Sequence, residues 1–335
     1  MSQPSAVFHL IDEMLASEEN CLSVTELCRW GKVSRAGYYR WKGAEETRRR
    51  REEQDKKDFQ MIKKAAEKTL SPGARSIYME LLHDPECHIM NLKKIRRLMR
   101  KYGLRCRVRR RNPRRQLADE MKSANYARNV LQRRFAQYGP RMVLLTDITY
   151  LPYKDGFLYL SVIKDACTRE ILAHALSESL EVDFVLETLQ HLMRDHGTSL
   201  HALTLIHSDQ GCHYTSYRYI DLVEKCQLIR SMSRRGNCWD NAPQESFFGH
   251  MKDEIDLSGC QTVEEVRKRV NDYIDYYDNR RYQWELCKLA PSEYYRFITT
   301  KKYPLDSPNP PAVPVFKEVT ADCWDMGESS PFPIT

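Results

Sequence analysis

No run of 18 apolar residues occurs in this 335-residue chain, so no membrane-spanning helix is expected. The opening MSQPSAVFHLIDEML carries acids and lacks the basic start and apolar stretch of a secretory signal. Eleven cysteines are present, an odd count, and no two stand in a CxxC pair. That excludes a ready disulfide framework and points to reduced thiols in a cytoplasmic protein. Cys87 and His88 are adjacent and lack the second pair that a zinc site needs. Neither an internal repeat nor a sustained heptad zipper is visible. Acids are missing altogether from Lys93 to Arg115, which holds 13 Lys and Arg. The net charge of +7 is modest for the length, so this local block says more than the sum. A block of one sign reads either as a solvated basic linker or as a surface for phosphates, and other features favour nucleic acid.

What is present begins with helices. Val7 to Leu15 has helical periodicity, Val24 to Trp30 reads as a short helix stopped by Gly31, and Ser34 is a cap for Arg35 to Trp41. Helix, tight turn and helix form a helix-turn-helix pattern, and Arg35, Tyr38, Tyr39 and Arg40 lie where base edges and phosphates are read. Tyr38 and Trp41 fit a packed core equally well. A charged connector, Glu45 to Lys57, is expected as an exposed helix or linker. Further helices are expected at Phe59 to Glu67, Ala74 to His83 and, capped by Asn91 and ended by Gly103, Leu92 to Tyr102. In the last, Ile95, Leu98 and Met99 share one face, and Lys93, Lys94, Arg96, Arg97, Arg100 and Lys101 cover the rest. An apolar stripe under a basic face suits a helix docked on its own module and presented to DNA. Arg107, Arg109, Arg110 and Arg111 continue the basic run.

From Arg141 the texture turns mixed. MVLLTDITYLPY, FLYLSVIKDA and REILAHALS read as strands, the first two joined by a Lys154-Asp155-Gly156 turn. Val182 to His196 is an amphipathic helix, LTLIHSD a short strand, Tyr217 to Cys226 a helix and LIRSMS a strand. Ala242 to Ile255 and Val263 to Tyr277 are helices. This order is α/β. Tyr303 to Thr335 holds seven prolines and is expected as an extended or disordered tail.

Three carboxylates stand out. Asp147 sits inside an apolar strand, where a lone acid is costly unless paired or metal-bound. Asp209 closes LTLIHSD, and ligands of open sheets gather beyond strand ends. Glu245 lies in the first turn of a helix, where the dipole favours it. Each alone also fits an end cap or an ion pair. Together they offer the oxygen donors that hard dications require, converging from different elements as two-metal phosphoryl transfer needs. His207-Ser208-Asp209 is contiguous, unlike a Ser-His-Asp relay whose members meet in space.

The strings TDITY, HSDQG and GNCWDNAPQESFFGHMKDE stand in order, with 35 residues between Asp209 and Glu245. With VNDYIDYYDNRRYQWELCKLAPSEYY, VSRAGYYRW and NLKKIRRLMRKYGL, they resemble bacterial insertion-sequence DDE transposases of the OrfB, IS-three-like kind, within the retroviral integrase superfamily. The likeness covers about residues 20 to 298. Leu144, Leu145, Cys212, His213 and the tail depart from the pattern without removing a ligand.

The resemblance implies an RNase H-like catalytic core preceded by all-α helix-turn-helix modules. It implies Asp147, Asp209 and Glu245 as catalytic metal ligands for two magnesium ions (Mg2+), with manganese (Mn2+) able to substitute. Lys252 lies seven residues after Glu245 on the same helix face, and similar enzymes use such a base to hold element-end DNA. Asn241, His207, Gln210 and His213 are candidates for supporting these acids or touching DNA, and local loop bonding fits them as well. The domains implied are 1–45, a helix-turn-helix; 46–115, a second helical DNA-binding module with basic linker; 116–298, the integrase-type core with C-terminal helices; and 299–335, the proline-rich tail. The partners implied are double-stranded DNA, both terminal inverted repeats and target, and further copies of the chain on that DNA. An upstream-frame helix-turn-helix and leucine-zipper protein is a further partner in similar elements. The expected location is the bacterial cytoplasm, at the nucleoid. Similar systems join one element end to the other as a circle before integration. The rival readings are a metal-dependent nuclease that cuts without joining, a non-catalytic DNA-binding regulator descended from a transposase, and a ribonuclease of RNA–DNA hybrids.

Overall fold

The computed structural model describes residues 4–18, 20–85, 89–106, 126–135, 137–154, 156–234 and 241–324. Helices α1 (Pro4–Ala16), α2 (Val24–Trp30) and α3 (Arg35–Gly43) pack around Ile11, Leu27, Cys28 and Tyr38. A capping box between Ser23 and Glu26 starts α2, and the Ser34 hydroxyl caps α3. Caps of this kind stabilise a helix by about 1 kcal/mol. Tyr38 belongs to the core, and its hydroxyl donates to Asp12 at 2.6 Å. Arg35, Tyr39 and Arg40 are left exposed on the outer side of α3.

The charged connector and the helix expected after it are one element, α4 (Glu45–Glu67). With α5 (Ala74–His83) and α6 (Leu92–Lys101) it encloses Ile62, Ile77, Leu81, Ile95 and Leu98. Asn91 accepts from the Lys94 amide to start α6, and Gly103 beyond its end takes φ 73°, where a side chain is disfavoured. The α4–α6 module rests on the far end of the chain. His83 stacks on Tyr282 with ring centroids 3.5 Å apart and lies 3.4 Å from Glu293.

The sheet has five strands: β1 (Val143–Tyr153), β2 (Gly156–Asp165), β3 (Ile171–Ser177), β4 (Leu205–Ser208) and β5 (Ile229–Met232). Their order is β3-β2-β1-β4-β5. The first three are antiparallel, and β4 and β5 join β1 in parallel. This is the RNase H-like arrangement that the sequence implied. Helices α7 (Asp183–His196) and α8 (Tyr217–Lys225) cover one face through Leu189, Leu192, Tyr219 and Val223. Helices α9 (Ala242–Glu254) and α10 (Val263–Asn279) cover the other through Phe247, Phe248, Met251 and Val270. The mostly apolar strands follow from this double cover. A last helix, α11 (Pro291–Thr300), was not evident from periodicity.

The proline-rich tail runs extended but lies against the core as far as residue 324. Lys317 donates its amide to the Gln137 carbonyl at 2.8 Å. Trp324 is 1% exposed, packs on Tyr138 and donates its indole N–H to the Leu203 carbonyl at 3.0 Å. One buried indole supplies an anchor that composition does not register.

Candidate catalytic centre and DNA-facing surfaces

The parallel pairing of β1 with β4 aligns Leu145 with His207. Two residues further on, the same register brings Asp147 level with Asp209, just past the end of β4. Neighbouring strands lie about 4.8 Å apart, so the two acids stand side by side. Both are half-buried. The Asp147 carboxylate accepts from the Ile148 amide at 2.8 Å and from Asn241 Nδ2 at 3.0 Å. Asp209 accepts from the Gly211 amide at 2.9 Å. A Cβ at Gly211 would come within 3.0 Å of Asp209 Oδ1, so glycine leaves that carboxylate room.

Tyr214 lies near the pair. Its hydroxyl is buried and lies 3.3 Å from Thr146 Oγ1. Burial, and then the nearby Asp147 and Asp209 carboxylates, push the phenol well above the ordinary tyrosine range. It therefore stays protonated beneath two acids.

Glu245 comes from the first turn of α9, and that turn is bolted to the same strands. Gln244, fully buried, donates Nε2 to the Leu145 carbonyl at 3.2 Å and to the Val162 carbonyl at 3.4 Å. Val162 is the β2 partner of Asp147. Lys164 donates Nζ to the Pro243 carbonyl from a fully buried position over the Phe247 ring. Desolvation lowers its ammonium to about 7. The helix start therefore sits beside Asp147. Even so, among the described residues no three acidic, histidine or cysteine side chains converge closely enough to share one ion. Asp147 and Asp209 are brought together, and Glu245 is placed on the neighbouring turn.

The donors fit a hard cation: carboxylate oxygens, plus the buried Asn241 Oδ1, which has no hydrogen-bond partner among the described residues. Of the supporting candidates, Asn241 touches Asp147 directly. His207 is buried directly below Asp209 on β4, bonded to Ser231 Oγ at 2.9 Å and Ser233 Oγ at 3.1 Å. These bonds tie β4 to β5 and to Ser233 just beyond it. His213 turns to the Leu180 carbonyl at 2.9 Å and the edge of Phe184, toward α7. Gln210 is half-buried on the loop. Tyr214, Gln244 and Lys164 carry no motif signal that singles them out in the sequence.

Lys252 is exposed, seven residues along α9 from Glu245, with its ammonium 4.5 Å from the centre of the Tyr150 ring. The basic residues of α6 divide in two. Arg97 grips Asp55 of α4 at 2.7 and 2.6 Å, Lys94 pairs with Asp58 at 2.5 Å, and Lys101 bonds Asp55 at 3.0 Å and also Glu52. These three, expected as phosphate contacts, also carry ion pairs within the module, the Arg97 side chain staying 53% exposed. The reason is the row Glu52, Asp55 and Asp58, spaced three apart on one face of α4. Lys93, Arg96 and Arg100 point outward, exposed and with no ion pair among the described residues. Arg107, Arg109, Arg110 and Arg111 lie outside the described residues.

Comparison with known proteins agrees with this layout. Residues 137–238 and 245–296 match two families each described as an integrase core domain, and residues 52–112 match an HTH-like domain. The insertion element IS600 uncharacterized 31 kDa protein of Shigella sonnei is 31% identical over 271 residues, 80% of this chain and 97% of that protein. An uncharacterized transposase-like protein of Haemophilus influenzae is 34% identical over 207 residues, 61% of this chain and 93% of its own. A chain of the simian T-cell lymphotropic virus intasome, solved with PP2A regulatory subunit B56 gamma, aligns at TM-score 0.42 and 15% identity over 69% of this chain and 73% of its own. On its strand order, the two integrase-core family matches and the 31% identical Shigella sonnei relative, the chain belongs to the bacterial insertion-sequence transposases of the IS-three-like kind, which carry an integrase-type, RNase H-like core.

Proposed function

We propose that the chain binds insertion-sequence ends and both cuts and joins DNA strands, with Asp147, Asp209 and Glu245 holding two divalent ions, magnesium by default. The observation that carries this reading is the placement of Asp147 beside Asp209 where β1–β4 pairing stops, with Asn241, the residue before α9, hydrogen-bonded to Asp147. When bound, such ions lower the pKa of the attacking water or hydroxyl and stabilise the leaving oxygen. The chain's own part is to hold the oxygens and the DNA. Asn241 fixes one Asp147 oxygen, and the Gly211 amide fixes one of Asp209. Gln244 and Lys164 fasten the start of α9 to the sheet, which puts Glu245 on a turn neighbouring Asp147. On this reading the attacking group is first water and then a DNA 3′-hydroxyl.

DNA is held on the outside of the modules. Arg35, Tyr39 and Arg40 present a recognition face on α3, Lys93, Arg96 and Arg100 one on α6, and Lys252 a phosphate contact near the acids. On this reading 1–45 and 46–115 grip the element end, 116–298 performs the chemistry, and the tail lies along the core as far as residue 324. Pairing two ends calls for at least two copies on DNA. Among the described residues no helix is long and apolar enough to cross a membrane.

Replacing Lys93, Arg96 and Arg100 together with alanine is expected to weaken end binding and to flatten its dependence on salt. Three lost phosphate contacts reduce the slope of log affinity against log salt by about 2.7. Titration of end DNA at several salt concentrations measures it, and an unchanged slope moves the phosphate contacts off α6.

A further inference from the structure

The β1–β2 hairpin outruns the rest of the sheet. β4 pairs with β1 only as far as Leu145, whereas β1 continues with β2 to Tyr153. On this overhang two large rings face solvent: Tyr150 at 59% exposure and Phe157 at 53%. They pack edge to face, with centroids 5.6 Å apart. Rings of this size are normally covered, and a paired, exposed set marks a contact surface.

Its position says what the contact is. Tyr150 lies three strand residues beyond Asp147, about 10 Å along β1 at 3.3 Å per residue, its ring starting from the opposite face of the strand. Lys252 lies seven helical residues beyond Glu245, also about 10 Å at 1.5 Å per residue. The two runs meet, with the Lys252 ammonium over the Tyr150 ring. A second exposed cation, Lys154, stands over Tyr153 at the hairpin tip, 5.3 Å from the ring centre. Flat π-faces beside ammonium groups suit a nucleotide, whose base stacks while its phosphate is neutralised. A base inside a duplex has no free face to offer, so the occupant is an unpaired one.

Building on the reading of the chain as an enzyme that cuts element ends, we infer that Tyr150 and Phe157 form a stacking platform for an unpaired base of the DNA end, one to three nucleotides from the scissile phosphate. Tyr150 is the principal ring, and Lys252 holds the adjoining phosphate.

The test uses the full chain and a duplex of the element's terminal repeat, with 2-aminopurine placed in turn at the three nucleotides flanking the cut. Wild type is expected to quench the fluorescence at one of these positions, and Tyr150→Phe to quench it equally. Tyr150→Ala is expected to lose the quench and about tenfold in end affinity, while its salt dependence stays the same. Unchanged quenching in Tyr150→Ala overturns the platform. So does a wild type that never quenches although Tyr150→Ala binds weakly, since the ring then only props Lys252. Cleavage of the same duplex is followed in parallel. Quenching without cleavage keeps the platform and removes the transposase reading, whereas a wild type that neither binds nor cuts removes both.

Discussion

Asp147→Asn is expected to bind element-end DNA as wild type does and to lose cleavage and joining by at least about a thousandfold, since the charge stabilising the reacting phosphate goes with the carboxylate. The substitution is nearly isosteric, and the hydrogen bond from the Ile148 amide survives through the remaining oxygen. The Asn241 amide then faces either an amide oxygen or an amide nitrogen, a small local cost against a fold set by the strands. DNA-binding surfaces on α3 and α6 are untouched. Gel-shift titration and a cleavage assay on one preparation separate the two effects. Normal cutting by this variant would mean that Asp147 is not a metal ligand.

The second large effect concerns the α4–α6 module. Asp58 is fully buried and paired with Lys94 at 2.5 Å, and Gln54 donates to it at 3.0 Å. Asp58→Ala strands Lys94 and leaves a hole, a loss of about 3 kcal/mol when one partner of a buried pair is removed. Lys94 is 32% exposed and recovers part of this by reaching water, so about 2 to 3 kcal/mol is expected. In a module of this size that corresponds to roughly 10 °C in melting temperature. Hydrogen exchange across α4, α5 and α6 reads it locally, with β1 and β4 as an internal reference. Equal protection in wild type and variant would show that the pair contributes nothing. Asp55 adds a pH signature. The Arg97 guanidinium, and Lys101 after it, hold its carboxyl well below the ordinary carboxylate range. Its contribution is therefore complete above the unfolded value near 4 and fades as pH falls below that. The module should loosen in acid before the sheet does.

Much of the fold was legible in the sequence. The strand carrying Asp147 and the one leading to Asp209 show as apolar, β-branched runs, and the Lys154–Gly156 turn between β1 and β2 is a local signal. The cap at Asn91 and the stop at Gly103 are local as well. The acids were legible because each interrupts an apolar run or opens a helix, and because their spacing belongs to a recurring pattern. Their supports were not legible. Gln244 reaches carbonyls on β1 and β2, Lys164 reaches the start of α9, and Tyr214 lies under both aspartates. Such pairings span tens of residues, and no local pattern encodes them. The same reason hid the division of the α6 bases. Arg97 and Arg100 look alike in sequence, and only the packing of α6 on α4 turns one toward Asp55, 42 residues away, and leaves the other outward. Acids at Glu52, Asp55 and Asp58 were the available clue, since a row spaced by three on a helix asks for partners. Trp324 was hidden differently: prolines around it suggest disorder, and a single indole reverses that up to residue 324.

The most direct test of the account is a strand-transfer assay with labelled element-end DNA and magnesium, wild type beside Glu245→Gln. The account predicts cleaved and joined products with wild type and neither with the variant, although both bind the end. Cleavage without joining by wild type, or equal products from the variant, would contradict it.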